Sequence, residues 1–364
     1  MRTLCVLALA GGLLEAQAIR MNQIQVLGSH NSYKEAIDPS LRQILRETMG
    51  DRLQALEYAH LPLAAQLDLG LRALELDVVH DPEGGRFAKP LGLELVKQRG
   101  LPAGPPYDPE GVMKTPGLKV LHVQDIDFRT NVYTFRQALE QLKAWSMAHP
   151  RHLPVIVTMN AKSEAIDRPG FTQPLKFDQA AFDAWDAEIR AVLPPAKLIT
   201  PDEVRGKYPT LEAAALAHNW PPLEAARGRF LFVLDEGPEK WSIYAEGRPS
   251  LRGRVMFVNA APGHAEAAFL IMNDPQEQFE QIQLMVRSGY LVRTRADADT
   301  REARKGDYRR WKAARASGAH VISTDYYRAD PDLGTGYQLA LPGHAPGVWN
   351  PLLLPAVRPL PAIE

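Results

Sequence analysis

Residues 72–79 read Arg-Ala-Leu-Glu-Leu-Asp-Val-Val, a short β-forming run that carries two acids two positions apart. Side chains alternate faces along a strand, so Glu75 and Asp77 point one way and Leu74, Leu76 and Val78 the other. In a barrel strand, one of those faces is the packed interior and the other is covered by helices. Two carboxylates are costly on either face unless they hold something positive, and the pair therefore reads as metal-ligating.

Comparable runs recur along the chain. The candidate strands are Ile24 to Gly28, Ala73 to Val79, Leu118 to His122, Val155 to Met159, Phe230 to Leu234, Val255 to Val258, Tyr290 to Arg293 and Val321 to Ser323. Between them lie stretches with apolar residues at three- and four-residue spacing, notably Tyr133 to Met147, Asp178 to Val192, Pro275 to Arg287 and Arg301 to Ala316. Eight strands alternating with helices give an α/β fold, a closed TIM (β/α)8 barrel. Ala268 to Met272 stands as a possible ninth strand. The Gly- and Pro-rich stretches Asp81 to Gly117 and Ala161 to Gly228 follow candidate strands, which places them as long loop insertions on the C-terminal face, where barrel sites form. The proline-rich tail from Leu341 is expected as an extended strap or a mobile end.

The 364 residues are 45% hydrophobic and 23% charged, with a formal net charge of −1. That supplies a large core and excludes the basic footprint of a nucleic-acid binder. The most basic stretch, REARKGDYRRWKAAR at 301–315, interleaves acids and alanines and reads as a solvated helix face. Arg2, the apolar run Leu4 to Leu14 and Ala16-Gln17-Ala18 form a signal peptide over residues 1–18, leaving residues 19–364 as one barrel domain, secreted or periplasmic. The only cysteine, Cys5, falls in that leader, so the mature chain would rely on its core and not on disulfides. A monomer is expected.

Polar residues close several of the apolar runs. Gly28-Ser29-His30-Asn31-Ser32-Tyr33 puts an imidazole and an amide at the end of the first, and Leu118 to His122 ends in another imidazole. The run from Val155 ends in Asn160 and Lys162, a neutral oxygen ligand and a cation for an anionic oxygen. Together, His30, Asn31, Glu75, Asp77, His122, Asn160 and Lys162 would assemble one site from four successive strands. Oxygen donors without cysteine select a hard cation, Ca²⁺ or alternatively Mg²⁺, and an exported protein meets abundant Ca²⁺.

The segments IQVLGSHNSYK, YAHLPLAAQLDLGLRALELDVVHDP, LKVLHVQDIDF, LPVIVTMNAK, GYLVRTRADADT and SGAHVISTDYY, in that order, span nearly the whole mature chain. Their combination resembles the phosphatidylinositol-specific phospholipase C superfamily of PLC-like phosphodiesterases, most closely its calcium-dependent bacterial branch. The resemblance implies a TIM barrel in which His30 and His122 are the catalytic pair and Asn31, Glu75 and Asp77 hold calcium. Asn160 stands where eukaryotic members have a fourth, acidic ligand, and Lys162 would contact phosphate or inositol. The implied reaction is attack of the inositol 2-hydroxyl on its own phosphodiester, releasing diacylglycerol and a cyclic phosphate. His122 would protonate the leaving oxygen, and His30 or a carboxylate near the metal would take the hydroxyl proton, with His30 preferred. A phospholipid or other phosphodiester substrate and transient membrane-surface contact follow. Two rival readings are a glycerophosphodiester or sphingomyelin phosphodiesterase on the same barrel, and a catalytically silent binder of lipid headgroups or sugars.

Overall fold

The structure, a computed structural model, describes residues 18–354 and 358–360. The expected leader, with Cys5, lies outside the described residues except for Ala18. Eight parallel strands form the barrel: β1 (Ile24–Ser29), β2 (Ala73–Val79), β4 (Val155–Lys162), β5 (Phe230–Leu234), β6 (Phe257–Val258), β7 (Phe269–Ile271), β8 (Leu291–Arg295) and β9 (Val321–Thr324). They run in the order β6-β5-β4-β2-β1-β9-β8-β7, and a parallel bridge from Val258 to Ala267 closes the ring. β2 and β5 are buried along their whole length, as strands covered on both sides must be.

One segment expected as a barrel strand is something else. Of Leu118 to His122, only β3 (Lys119–Val120) pairs, antiparallel to the end of β2 through Val78↔Val120 and Val79↔Lys119. It is a flap on the barrel rim. Its place in the ring belongs to β7, within the run Ala268 to Met272 that stood as a possible ninth strand. An apolar run does not encode the direction in which it will pair, so the count of eight held while one member changed. The four site strands are accordingly three barrel strands and one rim segment.

Helices Phe135–Ala148, Gln179–Val192 and Phe279–Ser288 fall on three of the expected stretches. Thr134 and Asp178 cap the first two, accepting from Gln137 N and Ala181 N. The fourth stretch breaks into Arg301–Lys305 and Arg309–Ala316, because Gly306 takes a left-handed conformation (φ 63°) and ends the first helix.

The insertion after β2 packs on the rim segment, Leu91 N donating to Asp125 Oδ1 at 2.8 Å, but the one after β4 lies at that end only in part. Pro221 accepts a bond from Met21 N, just ahead of β1, so the Pro221-Pro222 pair lies at the opposite end of the barrel. The tail is a strap: β10 (Val348–Trp349) pairs antiparallel with the start of β1. Between β1 and β2 the backbones touch at Gly28, where an added Cβ would sit 2.5 Å from both the Cβ and the carbonyl oxygen of Ala73. Neither strand can yield, so Gly28→Ala is expected to lose on the order of 1–3 kcal/mol in a urea unfolding curve.

Candidate active site

The turn after β1 is built by its own short polar residues. Asn31 takes a left-handed conformation (φ 47°), which asparagine tolerates better than most residues. Ser32 then locks the turn onto β2: its N–H donates to the Glu75 carbonyl at 2.9 Å, and its Oγ accepts from Glu75 N at 2.8 Å. This sets His30 and Asn31 beside the Glu75 and Asp77 face of β2. The residues that end β4, β5, β8 and β9 complete the barrel mouth.

His30 Nδ1 lies 3.0 Å from Asp325 Oδ1, just past β9. The carboxylate can only accept, so Nδ1 carries the proton and Nε2 is left free, 3.7 Å from Glu75 Oε1. Burial and Arg295, whose Nη2 is 3.3 Å from Nδ1, weaken proton binding at His30 more than Asp325 and Glu75 strengthen it. The ring is therefore held below its ordinary pKa. Burial disfavours the charged form of Asp325, yet His30, His60 and Arg295 outweigh it and hold that carboxyl far below its usual range.

His122 has the same construction on the rim. Its Nδ1 donates to Asp127 Oδ2 at 2.6 Å, which again fixes the tautomer and frees Nε2. Tyr58 stands between the two imidazoles, with ring centroids 5.8 Å from His30 and 6.4 Å from His122. Its hydroxyl is 2.7 Å from Asn31 Nδ2.

The acids of β2 are both buried and both held by protein cations. Arg293 of β8 pairs with Glu75 and also donates to Asn273 Oδ1 at 2.7 Å. Lys162 lies 3.3 Å from Asp77 Oδ2. Asn160 donates from Nδ2 to the Asp235 carbonyl at 2.6 Å, so its amide oxygen is the atom left for another partner. A cavity of about 570 Å³ opens beside this site, lined among others by Tyr58, Asp325, Ile37, Arg42 and Arg328.

All seven residues singled out in the sequence therefore come to one end of the barrel. Sequence reasoning missed Asp325, Arg293, Arg295, Asp127 and Lys34. For the first three a signal existed, since each closes an apolar strand with a charge, as Lys162 does. Trp220, Trp241 and Tyr244 are buried packing residues.

Two imidazoles in fixed tautomers flanking an acidic barrel mouth suit acid–base chemistry on a phosphodiester, and the fold is that of the PLC-like phosphodiesterase TIM barrels. The chain belongs to the family described as phosphoinositide phospholipase C, Ca²⁺-dependent, whose model matches residues 19–351. It is thus a phosphodiesterase of that type. Solved structures of similar fold include a calcium-dependent phosphoinositol-specific phospholipase C from the Gram-negative bacterium Pseudomonas sp, 16% identical with a TM-score of 0.53 over 94% of this chain and 96% of that one. Another is a Ca²⁺-dependent phosphatidylinositol-specific phospholipase C from Streptomyces antibioticus, 18% identical with a TM-score of 0.53 over 87% and 97%. At such identities the likeness establishes the fold alone. Among curated proteins none matches.

The family implies calcium, and the donors present suit it in kind: the amide oxygens of Asn31 and Asn160 with Glu75, Asp77 and Asp235, all hard ligands. Among these acids Asp235 is shifted chiefly by its burial. Its burial, with Glu75, Glu236 and Asp77 nearby, outweighs Arg293 and pushes its carboxyl up to about 7. Among the described residues no three His, Cys, Asp or Glu side chains are grouped as a metal cage, so the asparagine amides would have to complete the set.

The raised Asp235 gives a pH test. The unfolded carboxyl ionises near 3.8 and the folded one near 7, so ionisation costs stability progressively as pH rises through that window. With a chelator present, Asp235→Asn should stabilise the protein at about pH 8, and the gain should shrink toward about pH 4. An equal gain at both pH values in thermal unfolding would contradict this.

Proposed function

We propose that this phosphodiesterase is a calcium-dependent phosphatidylinositol-specific phospholipase C, exported after loss of residues 1–18, that releases diacylglycerol and an inositol cyclic phosphate. The observation that carries the reading is the pair of carboxylate-backed histidines on either side of Tyr58. In this reading His30, unprotonated at neutral pH and with Nε2 free, takes the proton of the inositol 2-hydroxyl. His122 donates a proton to the glycerol oxygen as it leaves. Lys162 and Arg295 face the negative charge that builds on the phosphorus-bound oxygens. Asn31, Glu75, Asp77 and Asn160 would hold calcium, which supplies Lewis-acid polarisation of hydroxyl and phosphate when bound. No described helix is long and apolar enough to cross a membrane, so access to lipid would be by transient surface contact.

The test is product release from phosphatidylinositol vesicles by the purified protein with Ca²⁺ or with a chelator. Calcium-dependent cyclic phosphate, lost in His30→Ala and in His122→Ala, supports the reading. Cleavage of glycerophosphodiesters or sphingomyelin alone would move the assignment to a sibling phosphodiesterase. Inactivity on all of them would reject it.

A further inference from the structure

Lys34 stands four residues after His30, and its side chain is fully buried. Its Nζ donates to the carbonyls of Leu56 and Tyr58, each at 2.9 Å, and lies 4.6 Å from the centre of the Tyr58 ring. It also lies 3.2 Å from Asp127 Oδ1, while the other oxygen of that buried carboxylate faces His122 Nδ1. The rim loop is shaped to keep Asp127 there. Val123 and Asp127 exchange backbone bonds of 3.1 and 2.9 Å across a turn in which Asp125 has φ 72°. Burying an ammonium and a carboxylate together carries a desolvation cost that an apolar pair would avoid, so packing alone does not account for them.

We infer that Lys34 is a positioning residue for His122: Asp127 orients the ring, and Lys34, on the far oxygen of that carboxylate, limits how strongly Asp127 holds it. The inference rests on His122 acting as general acid in the proposed reaction. A lone carboxylate at hydrogen-bond distance in a buried site would hold the imidazolium tightly, and a tightly held proton is poorly given up. An ammonium on the far oxygen draws off part of that charge. Burial works against ionised Asp127, but Lys34 and His122 outweigh it and keep the carboxyl below its usual range, so it remains an acceptor. Tyr58 also faces the ring, at 6.4 Å between centroids.

The two residues should therefore act in opposite directions. In protein labelled with ¹³C-histidine, with His122→Gln to assign the resonance, Asp127→Asn should move the His122 titration midpoint to lower pH by about one unit or more. Lys34→Met should move it to higher pH. A merely structural role would lower stability and leave the midpoint of the folded protein in place. Should Lys34→Met fail to fold, Lys34→Gln, which keeps a donor for the Leu56 and Tyr58 carbonyls and removes the charge, takes its place with the same direction expected.

Kinetics give a second reading. Asp127→Asn should slow cleavage of phosphatidylinositol by about 10-fold or more, and cleavage of an inositol phosphodiester with a p-nitrophenyl leaving group far less, because that group departs without a proton. An unmoved midpoint, or equal losses on the two substrates, would overturn the inference. If His122→Ala kept full activity on phosphatidylinositol, the proposed reaction itself would fall. If His122→Ala lost activity while Asp127→Asn kept it, only the present inference would.

Discussion

Replacing His30 by alanine should lower kcat for phosphatidylinositol about 10²- to 10⁴-fold, the range over which a positioned proton-transfer group contributes. The ring is placed for that work by Asp325 at 3.0 Å, which fixes the tautomer, and by burial and Arg295, which keep it unprotonated. The pH profile tests this placement more sharply than the loss itself. Arg295→Met removes a charge that opposes protonation and leaves the raising effects of Asp325 and Glu75. The acid limb of kcat/KM should then move to higher pH. Asp325→Asn removes the largest raising influence and should move the same limb to lower pH. Profiles that keep the parental limb in both variants would show that His30 is not the group whose ionisation governs the reaction, and would move the base to a carboxylate beside the metal.

How far such a site can be read beforehand depended on whether each residue's signal was local. Glu75 and Asp77 were legible because alternation along one strand puts both on a face where unpartnered acids are too costly. β5 was legible because a strand buried on both sides is apolar throughout, and β4 because its buried stretch Val155 to Met159 is apolar but for Thr158. His122 was found as a site residue although its segment was misjudged, since an antiparallel flap and a parallel barrel strand present the same short apolar run. Arg293 and Asp325 carried a weak signal, a charge closing an apolar strand, and their roles depend on strands that become neighbours only when the barrel closes. Lys34 carried none. Its partner is Asp127, far along the chain and on a loop, and a buried lysine in a turn reads like any surface lysine. Gly306 was visible, but whether it breaks a helix or sits within one depends on the packing of the segments either side.

The other large effect is expected at Arg293, whose side chain is 2% exposed and faces the carboxylates of Glu75 and, at 3.8 Å, Asp235. Burial raises the cost of ionised Glu75, yet Arg293, followed by His30 and Arg295, outweighs it and holds that carboxyl below its usual range. Arg293→Met keeps most of the side-chain volume and removes the charge, leaving buried Glu75 without its closest counter-ion and beside Asp235. Breaking a buried pair in this way costs about 3–5 kcal/mol, which should be the stability lost in chelator at neutral pH. Calcium should then matter more to the variant than to the parent. A ligand that binds only the folded state stabilises it by RT ln(1 + [L]/Kd), about 2.7 kcal/mol at 100 times Kd, and removing a competing cation from the mouth lowers Kd. The variant's unfolding midpoint in denaturant should therefore recover with calcium by more than the parent's gains. Adding Glu75→Gln should restore part of the stability in chelator and abolish the calcium response. A small loss in Arg293→Met with no added calcium sensitivity would mean that the acids at the mouth are neutralised by other groups, and that Glu75 is not a calcium ligand.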